Sequence, residues 1–458
     1  MSTAQHGPQG IVAPQAAPAL PGREQLEAWT ACAAQAAQAA GADAHEVVVS
    51  ASRALSVSVR LGKVESVQFQ RDRELAVSVY YGQRSGSAST SDVAPEAIRE
   101  TVQAACAIAR ASEPDPCSGL PDADQLAREF PDLDLCHPWA VSAEAALELA
   151  RECEAQGMAV DPRVTASDGA GVDTHHACSL LANSLGFCGY RETTHHSIGC
   201  SLIAEADGVM EQGGWYASAR ASGDLEPAAA VGQQAGTRAA ARLGARKLAP
   251  QRTPVVFDAS LARGLFGQFC SAISGGTLYR RASFLVDQAG TAVFSPGVNL
   301  RQQPFLRRGP ASAAWDREGV ATRDRELVAK GVLQGYLLGS YSARQLGLAT
   351  TGNAGGVYNL VAEPTAGDQA ELLKTMGRGF LVTDLMGQGV NLITGDYSRG
   401  AAGFWVENGE IAYPVSGVTL AGNLAAMFRS IQAIGCDVDR RGGVQTGSLL
   451  IDGMTIAS

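Results

Sequence analysis

Apolar side chains at every second position recur in both halves of this chain, yet no regular strand–helix–strand rhythm accompanies them. This two-residue period is typical of half-buried strands. The alternating segments of the first half are 47–51, 55–59, 75–81 and 172–219. The alanine-rich stretches that predict helices are 24–40 and 227–248. Strands and helices mixed in this way predict an α+β fold, with two mixed α/β domains rich in antiparallel sheet.

Turn signals support this prediction. Asn183-Ser184-Leu185-Gly186 predicts a tight turn inside the 172–219 stretch, which we interpret as a strand meander. In the second half, Lys330-Gly331 and Asn408-Gly409 predict two hairpins, because both residues of an Asn-Gly pair tolerate positive φ. A helix over 423–434 and a final strand over 448–456 are expected to close the chain.

Composition along the chain predicts its division. Residues 1–22 are rich in Pro, Ala, Gln and Gly without periodicity, and are expected to form a disordered tail. The predicted N-terminal α+β domain covers 23–249 and the C-terminal α+β domain covers 250–458. The boundary is placed where the alanine-rich helix ends and the strand Thr253–Phe257 follows.

Charge and cysteine usage exclude several classes of function. The formal net charge is −10 and Lys and Arg form no run, so direct nucleic-acid binding is not expected. No apolar stretch approaches the roughly 20 residues that span a bilayer, and no secretory signal is visible. None of the ten cysteines forms a Cys-x-x-Cys pair. We therefore expect a soluble cytoplasmic protein, with reduced thiols and no contact with a membrane.

Residues 264–281 read Gly-Leu-Phe-Gly-Gln-Phe-Cys-Ser-Ala-Ile-Ser-Gly-Gly-Thr-Leu-Tyr-Arg-Arg, a helical pattern that ends at a glycine turn before two arginines. Asp258 precedes this stretch, and four further sequence blocks follow it, at residues 282–285, 340–344, 351–356 and 395–405. In this order they resemble the TldD/PmbA family of peptidases, and in particular its PmbA (TldE) branch. The resemblance covers nearly the whole chain beyond residue 25.

The resemblance implies an emptied metal site. Catalytic members carry HExxxH on this helix, where two histidines bind zinc and the glutamate activates water. Alignment on Arg280 and Arg281 puts Gly267, Gln268 and Ala272 at those three positions. None of the three can bind zinc or act as a general base, so we expect no catalytic residue and no cofactor in this chain. Cys270, inside the same helix, is interpreted as a small buried hydrophobe.

The resemblance further implies a partner. A TldD-like subunit would supply zinc, and the two subunits together would form a cytoplasmic metallopeptidase that cleaves small or unfolded peptides, including peptide-antibiotic precursors and antitoxin-type proteins. The isolated chain is then expected to be inactive and can form a homodimer. The predicted contacts with substrate or partner are Arg280 and Arg281 after the glycine turn, and Asp396, Tyr397, Ser398 and Arg399 in a glycine-rich loop.

Two alternatives stay open. If the turn at 184–186 folds a symmetric hairpin, His175 falls opposite His195, and the pair can hold a metal with Cys178 or Glu192 as third ligand. The chain would then be a self-sufficient metallopeptidase. It can also be a non-enzymatic regulator or scaffold, in line with the family's older description as a modulator of DNA gyrase, with the acidic charge arguing for an indirect effect. No G-x-S-x-G, P-loop or dinucleotide motif supports another chemistry.

Overall fold

The computed structural model describes residues 19–457 of the chain. Its helices are α1 (Arg23–Ala39), α2 (Pro95–Ala111), α3 (Ala143–Met158), α4 (Ala228–Ala241), α5 (Ala259–Ala272), α6 (Gly275–Tyr279), α7 (Ser340–Leu346), α8 (Gln369–Met376) and α9 (Leu424–Arg429). Its strands are β1 (Ala44–Arg60), β2 (Lys63–Tyr81), β3 (Arg84–Thr90), β4 (Val164–Asn183), β5 (Cys188–Ala206), β6 (Val209–Ala219), β7 (Gln251–Phe257), β8 (Leu300–Gln302), β9 (Arg325–Ala329), β10 (Val332–Leu333), β11 (Leu360–Ala362), β12 (Gly379–Met386), β13 (Asp396–Glu407), β14 (Glu410–Asn423), β15 (Ile431–Ile434), β16 (Val444–Gln445) and β17 (Leu449–Ala457). Among these helices, none combines the length and the apolar character that crossing a membrane requires.

The first half builds one large antiparallel sheet. Its strand order is β3-β2-β1-β4-β5-β6, with β4, β5 and β6 forming the predicted meander and residues 184–187 connecting β4 to β5. β3 pairs only with residues 75–81 of β2. The outer edge of β2 from Lys63 to Glu74 therefore has no strand neighbour in the part of the chain that the structure describes.

β1 is one continuous strand, whereas the sequence suggested two apolar segments, 47–51 and 55–59. The two segments keep the same parity, so both bury their odd-numbered side chains on one face. Arg53 lies between them on that face and faces His176 of β4 across the pair. The interruption of the apolar pattern is thus a polar patch inside a strand and not a break in it.

Four helices cover this face of the sheet. α1 and α2 pack on one end, around an apolar cluster that contains Val49, Leu75 and Leu180. α3 and α4 pack on the other end, around a second cluster that contains Val57, Val172 and Leu202. The segment that includes Trp139 crosses the face between the two helix pairs, over the polar patch around Arg53.

α3 and α4 cross very closely, and glycine makes this possible. At Gly157, Gly232 and Gly236 the two backbones approach so closely that any Cβ would overlap the facing main chain. At Gly232 the overlap would be with the carbonyl oxygen of Cys153 on α3. The crossing therefore depends on the absence of a side chain at these positions.

The second half contains a closed barrel. The strand order β14-β13-β12-β7-β17 is completed by pairing of β14 with residues 455–457 of β17, and β15 pairs with residues 449–451 on the same edge of β17. The predicted hairpin joins β13 to β14 at Asn408-Gly409, where both residues have positive φ, at 55° and 79°. The predicted helix over 423–434 is wrong in its second part, since Ser430 ends α9 and Ile431 begins β15.

A second, five-stranded sheet lies beside the barrel, in the order β10-β9-β8-β11-β16, and carries the predicted turn at Lys330-Gly331. The α+β fold predicted from the sequence is confirmed. Residues 1–18 of the predicted tail lie outside the described residues. Leu20 already packs against the cluster under α1, and the Pro21 carbonyl accepts a hydrogen bond from the Cys178 thiol at 3.6 Å, so residues 20–22 belong to the folded domain. The boundary at residue 249 stays a prediction.

Candidate functional site

α5 is the helix on which the sequence places an emptied metal site. Its first turn is fixed by Asp258, whose carboxylate accepts a hydrogen bond from the Ser260 amide at 3.0 Å and whose own amide donates to the Val382 carbonyl of β12. One side of the helix is fully buried in the barrel core, and its largest side chains are Leu265, Phe266 and Phe269. The helix is thus held against the barrel by its apolar side, which leaves the opposite side free.

The three degenerate positions do not converge. Gly267 and Gln268 are half-buried and share the open side of α5 with Gly264 and Ser271, at helical spacing. A Cβ at Gly267 would meet no atom within 4 Å, so this side of the helix borders open space. Ala272 is fully buried and faces the core. Gly267 and Ala272 offer no ligand atom and the Gln268 amide is no base, so these residues do not fit the zinc that HExxxH would hold.

Cys270 packs against the core beside this open side. Burial raises the pKa of its thiol to about 12, so the thiol stays protonated at neutral pH. A neutral thiol is a poor nucleophile, in agreement with the interpretation of Cys270 as a small hydrophobe.

A cleft between the two halves begins at the first turns of α5. It is a cavity of about 700 Å³, and its walls come from β5, β6 and α4 of the first half and from α5 and β12 of the second. Arg242, directly after α4, spans it, with ion pairs to Glu211 at 3.2 Å and to Asp384 of β12 at 2.9 Å. Ser260 and Arg263 line the cleft on the side of α5. The open side of α5 therefore runs from this cleft toward the surface.

Arg441 anchors the far wall of the cleft. Its guanidinium lies 4.0 Å from the ring centre of Trp215 and 4.4 Å from that of Tyr216, and it donates to the Tyr216 carbonyl at 2.9 Å. It also makes a two-pronged ion pair with Asp439, at 2.9 and 2.7 Å, while Arg263 of α5 lies 3.8 Å from the same carboxylate. One buried carboxylate thus connects β6, α5 and the loop before β16.

Replacing Asp439 with asparagine is expected to lower the free energy of unfolding by about 3 kcal/mol, since it leaves Arg441 buried without a counter-charge. Chemical denaturation measures this. Asp207→Asn, at an exposed turn residue with a φ of 52°, is the matched control and should change the stability by less than about 0.5 kcal/mol. Equal effects of the two substitutions would show that the ion pair contributes nothing.

The same carboxyl predicts a pH dependence. Burial alone would raise the pKa of Asp439, but the hydrogen bonds and charge of Arg441 outweigh burial and hold the pKa below its usual 3.8. Its stabilisation is therefore complete above about pH 3.8 and is lost as the pH falls through the lower, folded-state value. Below pH 3.8 the difference in stability between the protein and its Asp439→Asn variant should shrink.

The predicted contact residues Arg280 and Arg281 are exposed, next to the turn that follows α6. Arg281 has a φ of 54° and pairs with Asp287 at 3.3 Å, but both side chains are about three-quarters exposed, so the pair adds little stability. The Phe284 amide donates to the Leu392 carbonyl at 2.8 Å, which ties this segment to the one before Asp396.

Residues 395–400 were predicted to form a loop, and this is wrong, because β13 begins at Asp396 and pairs with the end of β14. Strand alternation then divides the four predicted contacts. Asp396 and Ser398 are exposed, whereas Tyr397 is buried and Arg399 is half-buried. Burial raises the pKa of Tyr397 to about 12, and its hydroxyl has no hydrogen-bond partner in the described chain. Of these four residues, only Asp396 and Ser398 are therefore exposed enough to contact a substrate or a partner.

The histidine pairs fall as the hairpin symmetry predicts, with His175 opposite His195. The predicted third ligands, Cys178 and Glu192, are wrong. They lie opposite each other, but each is three residues along its strand from His175 or His195. Because side chains alternate along a strand, both therefore lie on the other face of the sheet. His195 lines a cavity of about 550 Å³ together with Arg220, and the charge of Arg220, after burial, lowers its pKa. A cation is disfavoured there.

The structure brings together a different set of ligand types, namely Cys136, His176 and Glu192. His176 of β4 lies opposite Thr194 of β5, two residues from Glu192, so strand alternation puts His176 and Glu192 on the same face. This alternation is the signal in the sequence that could have identified two of the three residues. Cys136 comes from an irregular segment 40 residues before His176, and no sequence pattern connects the two.

Three family models match the chain. They describe the first domain of the PmbA/TldA metallopeptidases at residues 45–109, the central domain at 136–243 and the C-terminal domain at 250–458. The metalloprotease PmbA of Escherichia coli O157:H7 is 45% identical over 415 residues, which are 91% of this chain and 92% of the relative.

Two solved structures have the same fold. A Bacteroides thetaiotaomicron protein described as a modulator of DNA gyrase superposes with a TM-score of 0.90 at 25% identity, over 95% of this chain and 99% of that one. TldE from Thermococcus kodakarensis gives a TM-score of 0.82 at 20% identity, over 94% and 99% of the two chains.

These matches, in agreement with the α+β fold, place the chain in a class of proteins described as metallopeptidases. Within this class the chain belongs to the PmbA/TldD family, in its PmbA branch.

Proposed function

We propose that this chain is the subunit without a catalytic zinc in a two-component metallopeptidase, and that a TldD-like subunit with an intact HExxxH motif supplies zinc, base and water. The observation that carries the proposal is the open side of α5. The helix keeps its capped start and its buried face, but it presents a glycine and a glutamine where the catalytic relatives are expected to present a histidine and a glutamate. The family scaffold is complete and only the reactive groups are missing.

The cleft supports a role in holding a peptide. Its cavity of about 700 Å³ has room for several residues of an extended chain, and its walls carry both arginines and carboxylates. The charged side chains are already paired across the cleft, as Arg242 is with Glu211 and Asp384. Paired charges give no strong preference for either sign, which suits small or unfolded peptides, among them peptide-antibiotic precursors. A cytoplasmic location stays a prediction.

The alternatives have weaker support. For a self-sufficient peptidase built on His175 and His195, the described residues hold no third ligand atom within 4.8 Å of both histidines, although Asp173 lies on the same face, and Arg220 lines the same cavity as His195. A regulator or scaffold would not need the cleft. Because the Bacteroides protein is described as a modulator of DNA gyrase, a non-enzymatic role stays one outcome of the following test.

Association tests the proposal. Co-expression with the HExxxH-bearing relative from the same genome, followed by native mass spectrometry, is expected to give a heteromer that contains both chains, whereas the chain alone gives a homodimer. The matched variant is Asp396→Lys with Ser398→Lys, which removes one negative charge and adds two positive ones on the exposed face near the start of β13. A chain that keeps its own oligomeric state at micromolar concentrations of the partner would contradict the proposal.

A further inference from the structure

A polar band crosses the helix-covered face of the large sheet, between the two apolar clusters under α1/α2 and α3/α4. Its side chains come from three neighbouring strands at positions where the alternation calls for buried residues. They are Arg53, Thr174, His176, Glu192, Thr194 and His196. Buried polar groups are costly unless they are satisfied by partners or by a ligand. The band therefore needs an explanation that the α5 site does not give.

Three metal-ligating side chains meet in this band. The Nε2 atom of His176 lies 2.6 Å from Oε1 of Glu192 and 3.6 Å from Sγ of Cys136, and the three ligand atoms all lie within 4.8 Å of one another. Ligands of tetrahedral zinc, at about 2.0 to 2.3 Å from the ion, stand about 3.5 Å apart. The sulfur–nitrogen distance already has this value, and the carboxylate, which is about a third exposed, has to withdraw by about 1 Å.

The irregular segment that carries Cys136 is fixed in place on both sides of the thiol. The Leu135 carbonyl accepts a hydrogen bond from the Thr194 amide at 2.9 Å, and the His137 amide donates to the Thr194 hydroxyl at 2.8 Å. The His137 carbonyl also lies 2.9 Å from Nε2 of His196. Three contacts to β5 thus hold the thiol over His176, which is the preorganisation that a metal site requires.

Neighbouring groups fit the same purpose. The Tyr190 hydroxyl donates to Oε2 of Glu192 at 3.1 Å and leaves Oε1 for an ion. The Nδ1 atom of the buried His176 has no partner in the described chain, so with an ion on Nε2 the ring carries its proton on Nδ1 without an acceptor, a cost that the bond to the ion has to outweigh. Cys136 and Glu192 also line a cavity of about 280 Å³, which gives access to solvent for a fourth ligand.

A catalytic thiol is the main rival explanation, and the geometry disfavours it. In a nucleophile–histidine–acid arrangement the acid holds the nitrogen opposite the nucleophile, whereas here the thiol and the carboxylate both face Nε2.

We propose that Cys136, His176 and Glu192 form a site for one divalent transition-metal ion of the zinc type, separate from α5 and from any zinc of a partner subunit. On binding, the thiol loses its proton to solvent, the thiolate and the carboxylate balance the two charges of the ion, and neutral His176 completes three protein ligands. Because the loaded site carries no net charge, Arg53, which faces His176 from β1, meets no net repulsion there. The mixed sulfur, nitrogen and oxygen ligands favour zinc over calcium or magnesium.

The site is tested on the full chain, stripped of metal and titrated with Zn²⁺ against a chromophoric chelator. One equivalent is expected to bind, and Cys136→Ser and His176→Gln should each weaken binding at least a hundredfold. Cys188→Ser, at an exposed cysteine, and His195→Gln, at the rival histidine, are the matched controls and should leave binding unchanged. Circular dichroism and thermal unfolding check that each variant is folded.

Loading with Co²⁺ gives a second readout that does not depend on affinity alone. A thiolate-to-cobalt charge-transfer band is expected in the parent protein and in Cys188→Ser, and should be absent in Cys136→Ser. Binding that is equally strong in the folded Cys136→Ser variant, or that disappears in His195→Gln instead, would overturn the assignment. Neither result bears on heteromer formation, so this site and the proposed function can fail independently.

Discussion

The chain alone is expected to leave an unfolded peptide uncut, while an equimolar mixture with its HExxxH-bearing partner cuts it, with rates that differ on the order of a thousandfold or more. The reason is the open side of α5, where Gly267 and Gln268 provide neither a metal ligand nor a base. Bound zinc lowers the pKa of water to about 7, and this chain has nothing on α5 to replace that effect. Cleavage of a fluorogenic peptide in the separate and mixed proteins measures the difference.

Two variants sharpen this experiment. A partner without the first histidine of its motif should abolish cleavage, whereas Gln268→Ala in this chain should change the rate of the mixture less than fivefold. Loss of all cleavage in the Gln268→Ala mixture would give this chain a direct part in the reaction. Cleavage by the isolated chain that His195→Ala removes would instead favour the self-sufficient peptidase.

Replacing Gly232 with alanine is expected to lower the free energy of unfolding by about 3 kcal/mol, although alanine is the better helix former. The added Cβ would overlap the Cys153 carbonyl oxygen, which belongs to the backbone of α3 and cannot rotate away. Relief requires that α3 and α4 separate, and this opens the apolar cluster beneath them. Denaturant unfolding, followed by circular dichroism, measures the loss.

Gly264→Ala is the matched control for this change. Gly264 also lies inside a helix, but a Cβ there would meet no atom within 4 Å. The substitution should therefore stabilise the protein by up to about 1 kcal/mol, from helix propensity alone. If the two substitutions shift stability in the same direction, the close crossing of α3 and α4 is not what constrains Gly232.

The sequence predicted those parts of the molecule that depend on local chemistry. The turn at 184–186 and the strand alternation were sufficient to place His175 opposite His195. The error about their third ligand came from neglecting parity, because Glu192 lies three residues from His195 and must point to the opposite face.

Other features depend on contacts that are distant in sequence. Closure of the barrel relies on three residue pairs between β14 and β17, and nothing in either strand specifies the other. Cys136 reaches His176 only because Thr194 and His196 hold its segment on the sheet. The start of β13 was missed because Gly395 and Gly400 suggest a loop, whereas the paired strand begins at Asp396, directly after Gly395, and continues through Gly400.

The two halves of the molecule differ in how they can be extended by further strands. The barrel is closed where residues 419–421 of β14 pair with the end of β17, so at this seam it offers no free backbone groups to an incoming chain. The large sheet, in contrast, ends at the unpaired outer edge of β2 from Lys63 to Glu74. Charged residues at 63, 65 and 71–74 make this edge selective, because an added strand must match their signs. Engineered fusions or swapped strands can therefore lengthen the large sheet at this edge, while the barrel is already joined to itself at the seam between β14 and β17.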